Sequence, residues 1–204
     1  MLFRSINLDI FLIDEYDMMW GAVSYSGLAI MDFKKQTMLA QLAHDPLDQS
    51  SLSDNNINCI FKDSNGGIWI GTQFGLNRIE QNIDSLLYSS PGLDFSEVFK
   101  DLKFQRFKVR DGLSGNAIKS ILEDSRKRLW MSTENGISVI GLADYSIYKL
   151  DHIDGVQDGS FYLGSSAQSG DGTMYFGGEN GLNFFHPDSI TFEIAPPSIH
   201  INEL

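Results

Sequence analysis

The side chains able to ligate a metal or to form a nucleophile–base pair are few and scattered. Four histidines, His44, His152, His186 and His200, lie far apart and none has a histidine partner at i,i+4, so the helical zinc spacing is missing. Cys59 is the single cysteine; it supports neither a Cys/His ligand cluster nor an intrachain disulfide, and in the apolar-flanked run Ile57 to Phe61 it reads as a small buried hydrophobe. Asp63-Ser-Asn-Gly and Ser169-Gly-Asp-Gly share the composition of calcium loops but lack the full ligand pattern ending in glutamate. Gly177-Gly-Glu-Asn-Gly181 has no Lys-Ser/Thr after it and falls at a strand turn, which does not suit a phosphate cradle. Carboxylates adjacent on a strand, such as Glu123 and Asp124, face opposite ways and do not flank one glycosidic bond. These residues imply no catalytic constellation, no metal and no cofactor.

Composition narrows the classes further. The chain has 204 residues, 42% of them hydrophobic and 12% aromatic, enough to bury a substantial core. With 27 acidic against 15 basic residues the formal net charge is -12, which repels phosphate backbones and anionic lipid headgroups and argues against nucleic-acid binding. The first apolar stretch, Ile10 to Ile13, is short and bracketed by Asp9 and Asp14, so neither a signal peptide nor direct membrane insertion is expected from it.

The strongest signal is an internal repeat. Asp63-Ser-Asn-Gly-Gly-Ile-Trp69-Ile-Gly-Thr72-Gln-Phe-Gly75-Leu aligns without a gap on Asp124-Ser-Arg-Lys-Arg-Leu-Trp130-Met-Ser-Thr133-Glu-Asn-Gly136-Ile. Leu52-Ser53, Asn55, Ile57 and Ile60 extend the match backwards against Leu113-Ser114, Asn116, Ile118 and Ile121. A third copy runs from Ser169 through Tyr175 to Gly181-Leu, and a fourth from Asp14 through Trp20 to Gly27-Leu. The anchors Trp20, Trp69, Trp130 and Tyr175 are separated by 49, 61 and 45 residues, against a period of about 40–50 for four-stranded blades. The long interval carries an insertion near Gln81 to Leu102, where Phe95, Val98, Phe99 and Leu102 share one helical face. Elsewhere each copy reads as a short apolar strand, a Gly/Asn/Asp turn, and a strand opening at the aromatic. An aromatic at the same place in every copy is more economically a core residue between blades than a platform for stacking sugars.

These residues resemble the two-component regulator propeller repeat, with its Leu-Ser-x-Asn, Asp-x-x-Gly-x-Ile/Leu-Trp-Ile-Gly-Thr and Gly-Leu pattern. Ser51 to Ile79 fits it best; Gly21-Ala-Val and Arg126-Lys-Arg depart from it. His44 to Asn55 resembles the family's interblade linker, Phe176 to Pro187 its last blade, and Ala195 to Asn202 the entry into the small β-sandwich that follows. The resemblance implies an all-β chain of four four-stranded antiparallel β-propeller blades, at about 1–45, 46–103, 104–150 and 151–194, with 195–204 beginning a sandwich or tail. It further implies a non-catalytic, periplasmic sensor module of a two-component histidine kinase whose kinase domain lies outside this chain, with a carbohydrate fragment as ligand.

Four blades leave two apolar faces and free strand edges, to be covered by other blades of a longer chain, by closure into a small four-bladed ring, or by a second copy in a homodimer. Ligand contacts are expected at loop positions that vary between copies after the same strand: Tyr25, Gln73, Phe74, Glu134, Asn135, Glu179 and Asn180. Two rivals remain, a polysaccharide hydrolase or lyase using acids such as Glu134 or Glu179, and a structural interaction propeller with no small ligand.

Overall fold

The computed structural model describes residues 8–89 and 95–192, and most of the strands in the middle of its sheets are buried on both faces. Four antiparallel meanders follow one another along the chain. The first contains β1 (Leu8–Ile13), β2 (Met18–Val23), β3 (Gly27–Asp32) and β4 (Thr37–Leu42). The second contains β5 (Ile57–Lys62), β6 (Ile68–Thr72), β7 (Gly75–Ile79) and β8 (Phe104–Phe107). The third contains β9 (Ser120–Glu123), β10 (Arg128–Ser132), β11 (Ile137–Gly141) and β12 (Ile147–Leu150). The last has three strands among the described residues, β13 (Phe161–Gln168), β14 (Met174–Gly178) and β15 (Gly181–Phe185). Because β8 pairs with β7, residues 104–107 belong to the second sheet rather than the third. The stretch expected to enter a sandwich, Ala195 to Asn202, lies outside the described residues.

The second strand of each sheet shows why the sheets stack. Ile68 and Ile70 pack into the layer shared with the first sheet, while Trp69 between them packs into the layer shared with the third. Leu129 and Met131 likewise meet the second sheet and Trp130 meets the fourth. Trp20, Trp69 and Trp130 are each 0% exposed, so the repeated aromatic is interblade core and unavailable for stacking on sugars. Tyr175 occupies the equivalent place on the fourth sheet; it is half-buried and stacks on Phe184, whose ring is mostly exposed.

Each tryptophan is fixed by the aspartate six residues before it. The Asp63 Oδ2 accepts the Trp69 indole N–H at 2.6 Å, and its Oδ1 accepts the backbone N–H groups of Asn65 and Gly67 across the turn. Asp14 binds Trp20 and Asp124 binds Trp130 in the same way, at 2.9 and 2.8 Å. One carboxylate thus closes the first hairpin and satisfies a buried indole that would otherwise cost about 1–3 kcal/mol. The two aspartate-containing loops of calcium-like composition are therefore hairpin turns. In the fourth sheet Ser169 replaces the aspartate and Tyr175 the tryptophan, so both partners are exchanged together.

The glycine opening each third strand is required by geometry. Gly136 has φ 129°, and a Cβ there would lie 2.4 Å from the Leu150 carbonyl oxygen at the end of β12; Gly27 meets the Leu42 carbonyl at 2.2 Å in the same manner.

The insertion of the second sheet forms α1 (Ile83–Ser89) and α2 (Phe95–Lys100). Phe99 of α2 is buried edge-on against Trp20, centroids 5.8 Å apart, and α2 lies along β4. The helical face seen in the sequence therefore fills the wedge between the first two sheets. At the other edge of the stack, the first strands converge: β1 meets β5, β5 meets β9, and β13 meets both β9 and β5. They line a common axis.

Candidate functional site

At one end of that axis lie the turns between second and third strands together with the linkers that enter each sheet. A latch holds them together. The Ser53 N–H donates to Asn77 Oδ1 at 2.8 Å, Asn77 Nδ2 donates to Ser53 Oγ at 2.9 Å, and the Ser53 and Thr72 hydroxyls share a bond of 2.9 Å. Ser114, Ser138 and Thr133 repeat the arrangement in the third sheet, and the Gln157 N–H donates to Asn183 in the fourth. The Leu-Ser and Ile-Gly-Thr elements of the repeat are the two halves of this latch.

The loop positions singled out by sequence divide into two groups. Glu134 is half-buried, and its carboxylate accepts the N–H groups of Asn116 and Ala117 at 3.0 and 2.8 Å. Glu179 accepts the Ser160 N–H, and Asn180 is bonded to Gln157 and to the Asp158 carbonyl. These three brace the linkers. Tyr25, 81% exposed, and Phe74, 56% exposed, stand at turn tips with Gln73 and Asn135. Of the seven, Tyr25 and Gln73 border a common cavity.

That cavity is an axial cleft of about 550 Å³, within the roughly 300–1,000 Å³ typical of small-molecule sites. The first sheet contributes Asp9, Ile10 and the turn residues Ser24 and Tyr25. The second contributes Asn55, Asn56, Asn58 and Gln73, and Leu163 reaches it from β13. Asp9 Oδ2 accepts the Ser24 hydroxyl at 2.6 Å, and the Asn56 carbonyl accepts the Gln73 N–H at 2.9 Å. Asp9 and Asn58 sit at register shifts in their ladders, between Leu8 and Ile10 and between Ile57 and Cys59; such bulges re-aim side chains. Both stand five residues before the clip aspartate of their sheet, so the repeat itself delivers them to equivalent places. Sequence reading missed them because inner-strand positions pass for core; the shared offset was the available signal.

A hollow at the opposite end carries more charge, with Glu15, Asp84 and Lys62 on its wall. Lys62 Nζ bridges Glu15 at 2.8 Å and Asp84 at 2.9 Å, and its hydrogen bond holds the Glu15 carboxyl below its usual range. Those charges are already mutually paired. Among the described residues, no group of three or more His, Cys, Asp or Glu side chains is arranged to hold a metal ion, and no helix is long and apolar enough to cross a membrane.

Consecutive antiparallel meanders, packed through a repeated aromatic and converging by their first strands on one axis, are blades of a β-propeller. Two segments, residues 51–74 and 112–135, match the family described as Two component regulator propeller, so this chain carries that family's repeat in its second and third blades. It is 28% identical over 194 residues to Histidine kinase P4 of Formosa agariphila, an alignment covering 80% of this chain and 14% of that protein. It is similar, at 26% identity and TM-score 0.70, to the extracellular domain of what is described as the hybrid two component system BT3049 of B. thetaiotaomicron, across 92% of this chain and 22% of that one. The computationally designed Ika4 protein shares the fold at 11% identity and TM-score 0.56, over 90% of this chain and 92% of its own length. This chain thus spans 14% and 22% of the first two of these proteins.

Proposed function

We propose that the chain is a non-catalytic part of an extracytoplasmic sensor, works in the periplasm within a two-component signalling protein, and responds to a carbohydrate fragment. The likeness over 92% of the chain to the extracellular domain of a hybrid two component system carries this reading. A non-catalytic role is favoured because Glu134 and Glu179, the turn acids a glycoside hydrolase or lyase would draw on, are engaged with linker N–H groups. The outer faces of the first and fourth blades, with Phe11 at 61%, Leu182 at 57% and Phe184 at 67% exposure, suit coverage by other blades or by a second copy. A ligand biases such a sensor only through its different affinities for two states of the assembly.

The test has two parts. The source gene, read on both sides of the segment for Met1 to Leu204, is expected to encode further blades before it and a membrane helix and kinase after it. The purified chain is expected to bind oligosaccharide without releasing new reducing ends. Cleavage of any glycan overturns the non-catalytic reading; a gene lacking both membrane helix and kinase overturns the sensor reading.

A further inference from the structure

We propose that the axial cleft is itself the ligand site, that its ligand is a neutral polyhydroxylated molecule, and that Asn58 is the buried anchor. The proposal rests on the sensor reading in one respect: the chain binds a small ligand at all.

Asn58 lines the cleft, is 8% exposed, and its Nδ2 has no hydrogen-bond partner among the described residues. Buried polar groups are almost always paired, and an orphaned donor lowers stability. The protein therefore keeps at this bulge a side chain that its resting structure leaves unsatisfied. A neighbouring bulge brings the carboxylate of Asp9 to the same cleft, and Asn56 and Gln73 of the second blade line it as well.

The charge pattern selects the ligand. An anion would satisfy the Asn58 amide but be repelled by Asp9, and among the described residues no lysine, arginine or histidine lines the cleft to receive it. An ammonium group would satisfy Asp9 but has no acceptor for Asn58. A hydroxyl donates and accepts, so neighbouring hydroxyls of one molecule satisfy both. Tyr25 and Leu163, both exposed at the rim, offer apolar surface to the C–H face of a sugar ring.

The experiment screens the full chain against an array of neutral and uronate oligosaccharides, then follows the tightest neutral binder by calorimetry. Asn58→Leu and Gln73→Ala are each expected to weaken that ligand at least about tenfold. Asn58→Leu is also expected to raise the melting temperature of the ligand-free protein, because it removes an unsatisfied buried amide with little change of volume. If Asn58→Leu does not fold, Gln73→Ala at an exposed turn decides the question alone. Binding that survives both substitutions, or binding of uronates only, overturns the cleft proposal and leaves the sensor reading standing. No binding to any glycan on the array overturns the cleft proposal and, with it, the carbohydrate reading.

Discussion

The second and fourth blades present the same turn built with different residues. In the second, Asp63 clips the indole of Trp69, and that ring is sealed against the third sheet. In the fourth, Ser169 and Tyr175 stand in their places; the Ser169 hydroxyl donates instead to Asp171 at 2.5 Å, and Tyr175 lies on the outer face beside Phe184. The clip aspartate therefore accompanies an indole that has lost its water. Where the aromatic is a phenol on an open face, a serine turn suffices. The pairing is a response to burial by the next sheet, not a requirement of the hairpin.

Removing the ring separates the two blades most sharply. Trp69→Ala is expected to cost about 3–5 kcal/mol in urea unfolding, and Tyr175→Ala less than about 1 kcal/mol. An equal cost at Tyr175 would mean that another blade or a second copy covers that face in solution. The clip comes next. Asp63→Ala is expected to lose about 2–3 kcal/mol by stranding the Trp69 indole and two turn N–H groups, against about 0.5–1 kcal/mol for Ser169→Ala.

The turns also differ in acid. The Ser169 hydroxyl and the Thr173 N–H hold the exposed Asp171 carboxyl down at about 2. A depressed folded value stabilises above the ordinary carboxylate range and loses that contribution as pH falls toward 2. Asp171→Asn should therefore flatten the fall in urea midpoint below pH 4 without moving the midpoint difference between Trp69→Ala and wild type at neutral pH. The smallest effect is chemical. Burial pushes the thiol of the half-buried Cys59 up to about 12, so alkylation at pH 8 should be slower in the native chain than in urea; equal rates would show that the inner strand β5 does not shield the thiol.

Much of this was legible because the repeat aligns residues that meet in space. Asp63 and Trp69, or Ser53 and Thr72, recur at fixed offsets, and each pair proves to be one hydrogen bond. The helical face at Phe95 and Phe99 was visible too, though its destination under Trp20 depended on long-range packing. Loop chemistry was less legible. Glu134 and Asn135 are neighbours of similar polarity, yet the first braces a linker through two N–H groups and the second is exposed at the turn. The cleft was least legible, since Asp9 and Asn58 owe their direction to bulges, which depend on ladder register.

The latch also fixes where one blade ends in hereditary terms. Arg106 of β8 donates to the carbonyls of Asp48, Ser51 and Leu52, and Ser53 bonds Thr72 and Asn77, so the linker before the second sheet is hydrogen-bonded to that sheet. A duplicated or recombined segment cut just after β4 carries its hydrogen bonds with it, whereas one cut at the start of β5 leaves the serine behind. A grafted blade that begins at its linker should therefore keep its latch in a foreign ring.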